Sequence, residues 1–110
     1  MKRIALLILL AALPAFAAHS VVLTFTQSSD PVALNCVFRS ATKGGENPQT
    51  PLFCSTSPIT TYTDTAVAAG DNWFYTVDAV SSKGVSSPFS NETNAVIPLL
   101  PPTGLSSQAF

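Results

Sequence analysis

The sequence predicts an all-β fold, a sandwich of two antiparallel sheets. Three observations predict it. Short segments alternate apolar and polar residues with a period of two, turn clusters recur between them, and no segment shows helical periodicity. Parallel βαβ units would require helical crossovers, and the pattern offers none. Nine prolines in 110 residues, with frequent Thr, Ser and Val, point the same way. Charged residues are 10% of the chain beside 46% hydrophobic ones, which argues against a disordered acidic chain.

The first 17 residues read as an export signal. Met1-Lys2-Arg3 is a cationic start, Ile4 to Leu13 is apolar, Pro14 breaks the run, and Ala15-Phe16-Ala17 places small residues at the peptidase positions. Cleavage is expected after Ala17, with Ala18 the alternative. The apolar run falls short of the roughly 20 residues that span a bilayer, so no membrane span is expected after cleavage. No cysteine stands directly after the cleavage site to carry a lipid. The expected localisation is secreted, extracellular or periplasmic.

Removing 17 of 110 residues leaves 93, enough for one core and too few for two domains. The expected division is a sandwich domain over residues 18–98 and a Pro-rich tail over 99–110. The mature chain keeps three cations (Arg39, Lys43, Lys83) against six acids (Asp30, Glu46, Asp64, Asp71, Asp78, Glu92). Its net charge is about −3, and three scattered cations make no phosphate-binding patch, which excludes nucleic acid.

Ser20 to Thr26 alternates, with Val21, Leu23 and Phe25 on one face. Ser28-Ser29-Asp30-Pro31 turns the chain. Ala33 to Arg39 is a second strand, with Asn35 and Val37 on one face and Cys36 and Phe38 on the other. A polar loop, Lys43 to Pro51, leads to a short strand at Leu52–Cys54, and Ile59 to Thr65 is extended. After the Ala68–Asn72 turn, Trp73 to Val80 is the strongest strand. Trp73, Tyr75, Val77 and Ala79 are expected inside, Thr76 and Asp78 in water. Ser81-Ser82-Lys83-Gly84 turns again, and Phe89 to Ile97 completes the sheet.

From His19 to Pro98 these residues resemble a fibronectin type III domain of the compact, secreted bacterial kind. Val21, Leu23 and Phe25 before Ser29-Asp30-Pro31 resemble the family's alternating strand and turn, with Phe in place of Trp. Cys36-Val37-Phe38-Arg39-Ser40 resembles its Asn-Val-Tyr-Arg-Ser strand, and Ser90-Asn91-Glu92 its last strand. Val67, Gly70 and Trp73 match its hydrophobic residue, glycine turn and aromatic strand. Trp73 then stands where the family keeps its corner tyrosine, with an indole N–H to donate to a carbonyl. The resemblance implies an immunoglobulin-like sandwich that binds, spaces or builds, and implies no substrate. Arg-Gly-Asp is absent; Ala69-Gly70-Asp71 stands in that loop.

Catalytic constellations are missing from the pattern, so no enzyme and no cofactor are expected. A Ser-His-Asp triad needs a held imidazole, and His19, the single histidine, falls at the mature end. Asp30, Asp64, Asp71 and Asp78 read as solvated turn or edge residues rather than paired acids. Asp71 is also placed to brace its loop. One histidine and two cysteines cannot complete a four-ligand zinc site, and no calcium loop is present. Asn91-Glu92-Thr93 has the form of a glycosylation acceptor.

Cys36 and Cys54 are the one reactive pair. Export and an even count favour an internal disulfide, with free thiols or an intermolecular bridge as alternatives. In the fold that the resemblance implies, the bond staples the polar loop on the outer sheet face.

Two functions follow. The first is a non-catalytic module binding a protein or polysaccharide at the cell envelope, with the Lys43–Pro51 and Ser81–Gly84 loops and Phe53 or Phe74 as its surface. The second is a structural subunit that assembles with its own copies. Pro101-Pro102-Thr103-Gly104-Leu105 resembles the opening segment of a fibronectin type III domain, which this chain lacks at its start. The expected assembly residues are Pro101, Pro102 and Leu105, filling the vacant edge of a neighbouring copy.

Overall fold

The computed structural model describes residues 19–110; the expected export signal lies outside the described residues. Six strands form: β1 (Val21–Thr24), β2 (Leu34–Ser40), β3 (Phe53–Cys54), β4 (Thr61–Asp64), β5 (Asn72–Val80) and β6 (Thr93–Val96). They make two antiparallel sheets, β1-β4 and β3-β2-β5-β6. The described residues contain no helix. The all-β sandwich is therefore as the alternation predicts.

The β2–β5 ladder is the spine. It runs from Leu34 opposite Val80 to Ser40 opposite Phe74. Side chains alternate across it, so Val37, Tyr75 and Val77 point inward onto Leu23 of β1 and are all buried. Val21, Phe25, Leu52, Tyr62, Trp73 and Ala95 pack around this cluster. In β1, Leu23 is buried while Val22 is 62% exposed, as a strand with one wet face requires.

Two expectations are corrected. Thr76 and Asp78 do not face water; both are buried, at 5% and 7% exposure. The reason is the segment after the β5 turn. It crosses beside β5, where the N–H groups of Ser87 and Ser90 donate to the carbonyls of Ala79 and Val77. Their hydroxyls accept from the N–H groups of the same two residues. Phe89 then lies on Phe38, with ring centroids 4.8 Å apart, and roofs the outer face. The same segment corrects the last strand. Phe89 to Ile97 is not continuous: side-chain bonding at Ser87 and Ser90 replaces the ladder, and regular pairing starts only at Thr93.

Cys36 and Cys54 sit directly opposite each other on β2 and β3 and are joined by a disulfide, their Cα atoms 4.0 Å apart. The bond closes the polar loop on the outer face. It lies within one sheet and joins no residue of β1 or β4.

Closing a loop of this size restricts the unfolded chain by about 3 kcal/mol. Reduction, or Cys36→Ser with Cys54→Ser, is expected to lower unfolding stability by about that amount in urea. Mass spectrometry without reductant is expected to read two hydrogens below the dithiol mass.

Candidate binding site

The two ends of the sandwich carry different chemistry. One end gathers the start of β1, the end of β2, the start of β5 and the end of β6, and the tail leaves from it. Asp64, paired with Val21 in the β1–β4 ladder, is 1% exposed there. Its Oδ2 accepts from the Tyr75 hydroxyl at 2.6 Å and from Arg39 Nη1 at 2.9 Å, and its Oδ1 from the Ala66 N–H at 3.0 Å. Arg39 also donates to the Ala66 carbonyl and lies 3.9 Å over the Trp73 ring. One carboxylate of the smaller sheet is thereby held by two strands of the larger. Burial works to raise the Asp64 carboxyl, but the Tyr75 hydroxyl, the Ala66 N–H and Arg39 outweigh it and hold it below the usual range. Burial, then the Asp64 carboxylate, pushes the Tyr75 phenol well above its ordinary value.

Asp64 and Asp78 are therefore not solvated acids as expected. Asp64 is consumed by structure. Asp78 accepts from the Cys36 N–H, and burial raises its carboxyl. Asp71 does brace its loop: its Oδ2 accepts from the Ala68 N–H and from Trp73 Nε1 at 3.0 Å. Those two bonds, the Ala68 amide first, lower its carboxyl. The Trp73 indole donates to this carboxylate rather than to a carbonyl. Gly70, at φ +87°, makes the turn that brings Asp71 back.

A second carboxyl pair also escaped the sequence. Glu92 Oε2 accepts from the Gly44 N–H at 2.7 Å, and Glu46 is buried beside it with Oε2 unpartnered. Burial, with the adjacent Glu92, raises the Glu46 carboxyl against the pull of its own N–H. The Lys43–Pro51 loop is thus pinned at the tail end. Ser81–Gly84 follows Val80 at the opposite end, so the two loops do not share a surface. Phe53 and Phe74 give no common platform either. Phe53 stacks on Tyr62 at 4.6 Å and closes the side of the sandwich, while Phe74 is half-buried on β5 opposite Ser40.

At the opposite end, Ser81–Gly84 meets a different partner. Asp30, Pro31, Val32, Ala33, Ser81, Ser82 and Lys83 line a cleft of about 510 Å³. Both walls are fixed by hydrogen bonds. The Ala33 N–H donates to the Val80 carbonyl, and Ser81 Oγ accepts from the N–H groups of Lys83 and Val85. Gly84 closes that turn at φ +79°. At the same end of β2, Asn35 is 1% exposed, exchanges amide hydrogen bonds with Gln27 and accepts from the Ile59 N–H. Pro31, Val32 and Ala33 supply the apolar part of the cleft lining, and Asp30 and Lys83 the charged part. No cluster of metal-ligating side chains occurs among the described residues.

The crystal structure of a Fn3-like protein from Clostridium thermocellum superposes on the chain with a TM-score of 0.60. The two are 34% identical over 76% of this chain and 82% of that one. The chain belongs to the Fn3-like family. Pectate lyase PelI from Erwinia chrysanthemi, solved with tetragalacturonic acid, shares the fold at TM-score 0.50 and 22% identity. That match covers 70% of this chain and 28% of the lyase. No protein-family model matches the chain, and no curated protein does.

Two variants test the acids of this Fn3-like domain. Asp64→Ala leaves Arg39 and Tyr75 without their acceptor and is expected to cost about 3 kcal/mol. Asp64's folded value is lowered, so its contribution is complete above the ordinary value of 3.8 and is lost as pH falls through the folded value. Asp64→Asn is expected to flatten melting temperature against pH below that point. Glu46 has the opposite sign: its folded value is raised, so stability falls as pH rises from the ordinary value of 4.5 through the folded value. Glu46→Gln is expected to raise the melting temperature at pH 7 and leave it unchanged at pH 4.

Proposed function

We propose that this Fn3-like domain is a non-catalytic, secreted module that binds a protein of the cell envelope in the Asp30–Ala33 and Ser81–Lys83 cleft. The observation that carries this reading is the cleft itself. Two segments tied by backbone hydrogen bonds line a cleft in which apolar Pro31, Val32 and Ala33 stand beside one anion, Asp30, and one cation, Lys83. A preformed concavity of this kind suits an apolar side chain of a partner, with the two charges setting its orientation. A protein ligand suits it better than a polysaccharide. Sugars stack their C–H faces on flat aromatic rings, and no aromatic residue lines the cleft. The disulfide is compatible with an oxidising compartment outside the cytosol. The non-catalytic reading is supported by Asp64 and Asp78, which serve as acceptors for structural donors.

Immobilised protein is to be challenged separately with envelope proteins and with envelope polysaccharides. The expected result is retention of a protein, lost on Val32→Asp and on Lys83→Glu without a change in melting temperature. Retention of polysaccharide alone, or retention unaffected by both variants, overturns the reading.

A further inference from the structure

The smaller sheet stops at β1. On one side β1 pairs with β4; on the other its backbone faces no strand among the described residues. The larger sheet continues past it, so a groove opens between β1 and the segment leading into β6. Val22, Leu23, Thr24 and Phe25 form one wall, and Ser90, Asn91 and Thr93 the other. Tyr75 and Val77 form the floor, and the cavity measures about 280 Å³. It continues along Thr26, Gln27 and Ser28 toward the cleft end as a further cavity of about 400 Å³. The first stretch is lined by no charged residue.

The tail has the complementary properties. No charged residue follows Glu92. Of the nine large hydrophobics exposed among the described residues, four are in the tail: Leu99 at 72%, Leu100 at 60%, Leu105 at 98% and Phe110 at 113%. Beyond Ile97 its backbone makes no hydrogen bond with the described residues. Thr103, Leu105, Ser107 and Ala109 fall on one face of an extended chain, opposite Gly104, Ser106 and Gln108. From Thr103 to Phe110 an extended chain is about 26 Å long, against about 23 Å for Val21 to Gln27.

We infer that residues 103–110 of one copy pair with the free edge of β1 in a second copy and bury Leu105 in its groove. Direction decides between a second copy and the chain's own edge. Ile97 bonds to Gly70 and Asp71, at the end where β1 begins. A tail folding back onto its own β1 runs parallel to it, which gives the weaker ladder. Antiparallel pairing requires entry from the Gln27 end, which the tail of another copy reaches by continuing outward. Pro98, Pro101 and Pro102 keep that exit extended. The contact is head to tail, so each copy offers one tail and one edge, and repetition builds an open filament. This goes beyond the binding module and uses another surface.

The test is sedimentation and electron microscopy of the purified protein across a concentration series, beside a variant ending at Leu100. The intact chain is expected to grow with concentration and the truncated chain to remain monomeric. A labelled peptide of residues 101–110 is expected to bind the truncated protein and to stop growth of the intact one. Leu105→Asp in that peptide is expected to weaken binding about tenfold or more. Val32→Asp is expected to assemble normally, which separates this proposal from the cleft. An intact chain that stays monomeric at millimolar concentration overturns the inference. So does equal growth of the truncated chain, or a monomer that merely loses stability when the tail is removed.

Discussion

The carboxylate of Asp64 is the point on which the two sheets depend. The sandwich has two strands in one layer and four in the other, and the only covalent crosslink among the described residues lies inside the larger layer. Joining the layers therefore falls to the apolar contact of Leu23, Val37, Tyr75 and Val77, and to a few directed bonds. Asp64 supplies most of these at the tail end, by accepting from Arg39 of β2 and Tyr75 of β5. A charge so buried is tolerable because each oxygen has a donor. Asn35 and Gln27 do similar work at the cleft end with neutral amides. Apolar packing sets how strongly the sheets adhere, and these polar pairs set where they adhere, since a shifted register would strand them.

Much of this was legible in the sequence. Alternation at Val21, Leu23 and Phe25, and at Trp73, Tyr75 and Val77, marked the inner faces, because a period of two has one reading when one side is wet. The even cysteine count favoured the pair that the structure joins. The outer face was harder. Thr76 and Asp78 read as wet because polarity was the sole guide, and the covering element, Phe89, belongs to a segment with no periodicity. A seryl hydroxyl standing in for a ladder partner leaves no pattern.

The buried acids were missed for a related reason. Asp64 looks like a turn residue when taken alone. The signal lay in combination: among the described residues Arg39 is the one cation within a strand, it falls on the inward parity of β2, and Tyr62 places Asp64 on the inward parity of β4. A cation and an anion facing inward from different strands imply each other. The Glu46–Glu92 pair gave no comparable clue, since 45 residues lie between two acids that only the loop trajectory brings together.

The points where the chain enters β1 and leaves β6 have a mechanical consequence. His19 enters β1 and Ile97 leaves β6 at the same end of the sandwich. A pull applied between these two points would load the hydrogen bonds of β1 and β6 one at a time from their ends, like opening a zip. The β2–β5 ladder would carry little of that load. The sandwich is then mechanically soft when drawn between these two points, whatever its resistance to heat or denaturant. A load applied along the strands, from one end of the sandwich to the other, would instead strain a whole row of hydrogen bonds at once and meet far greater resistance.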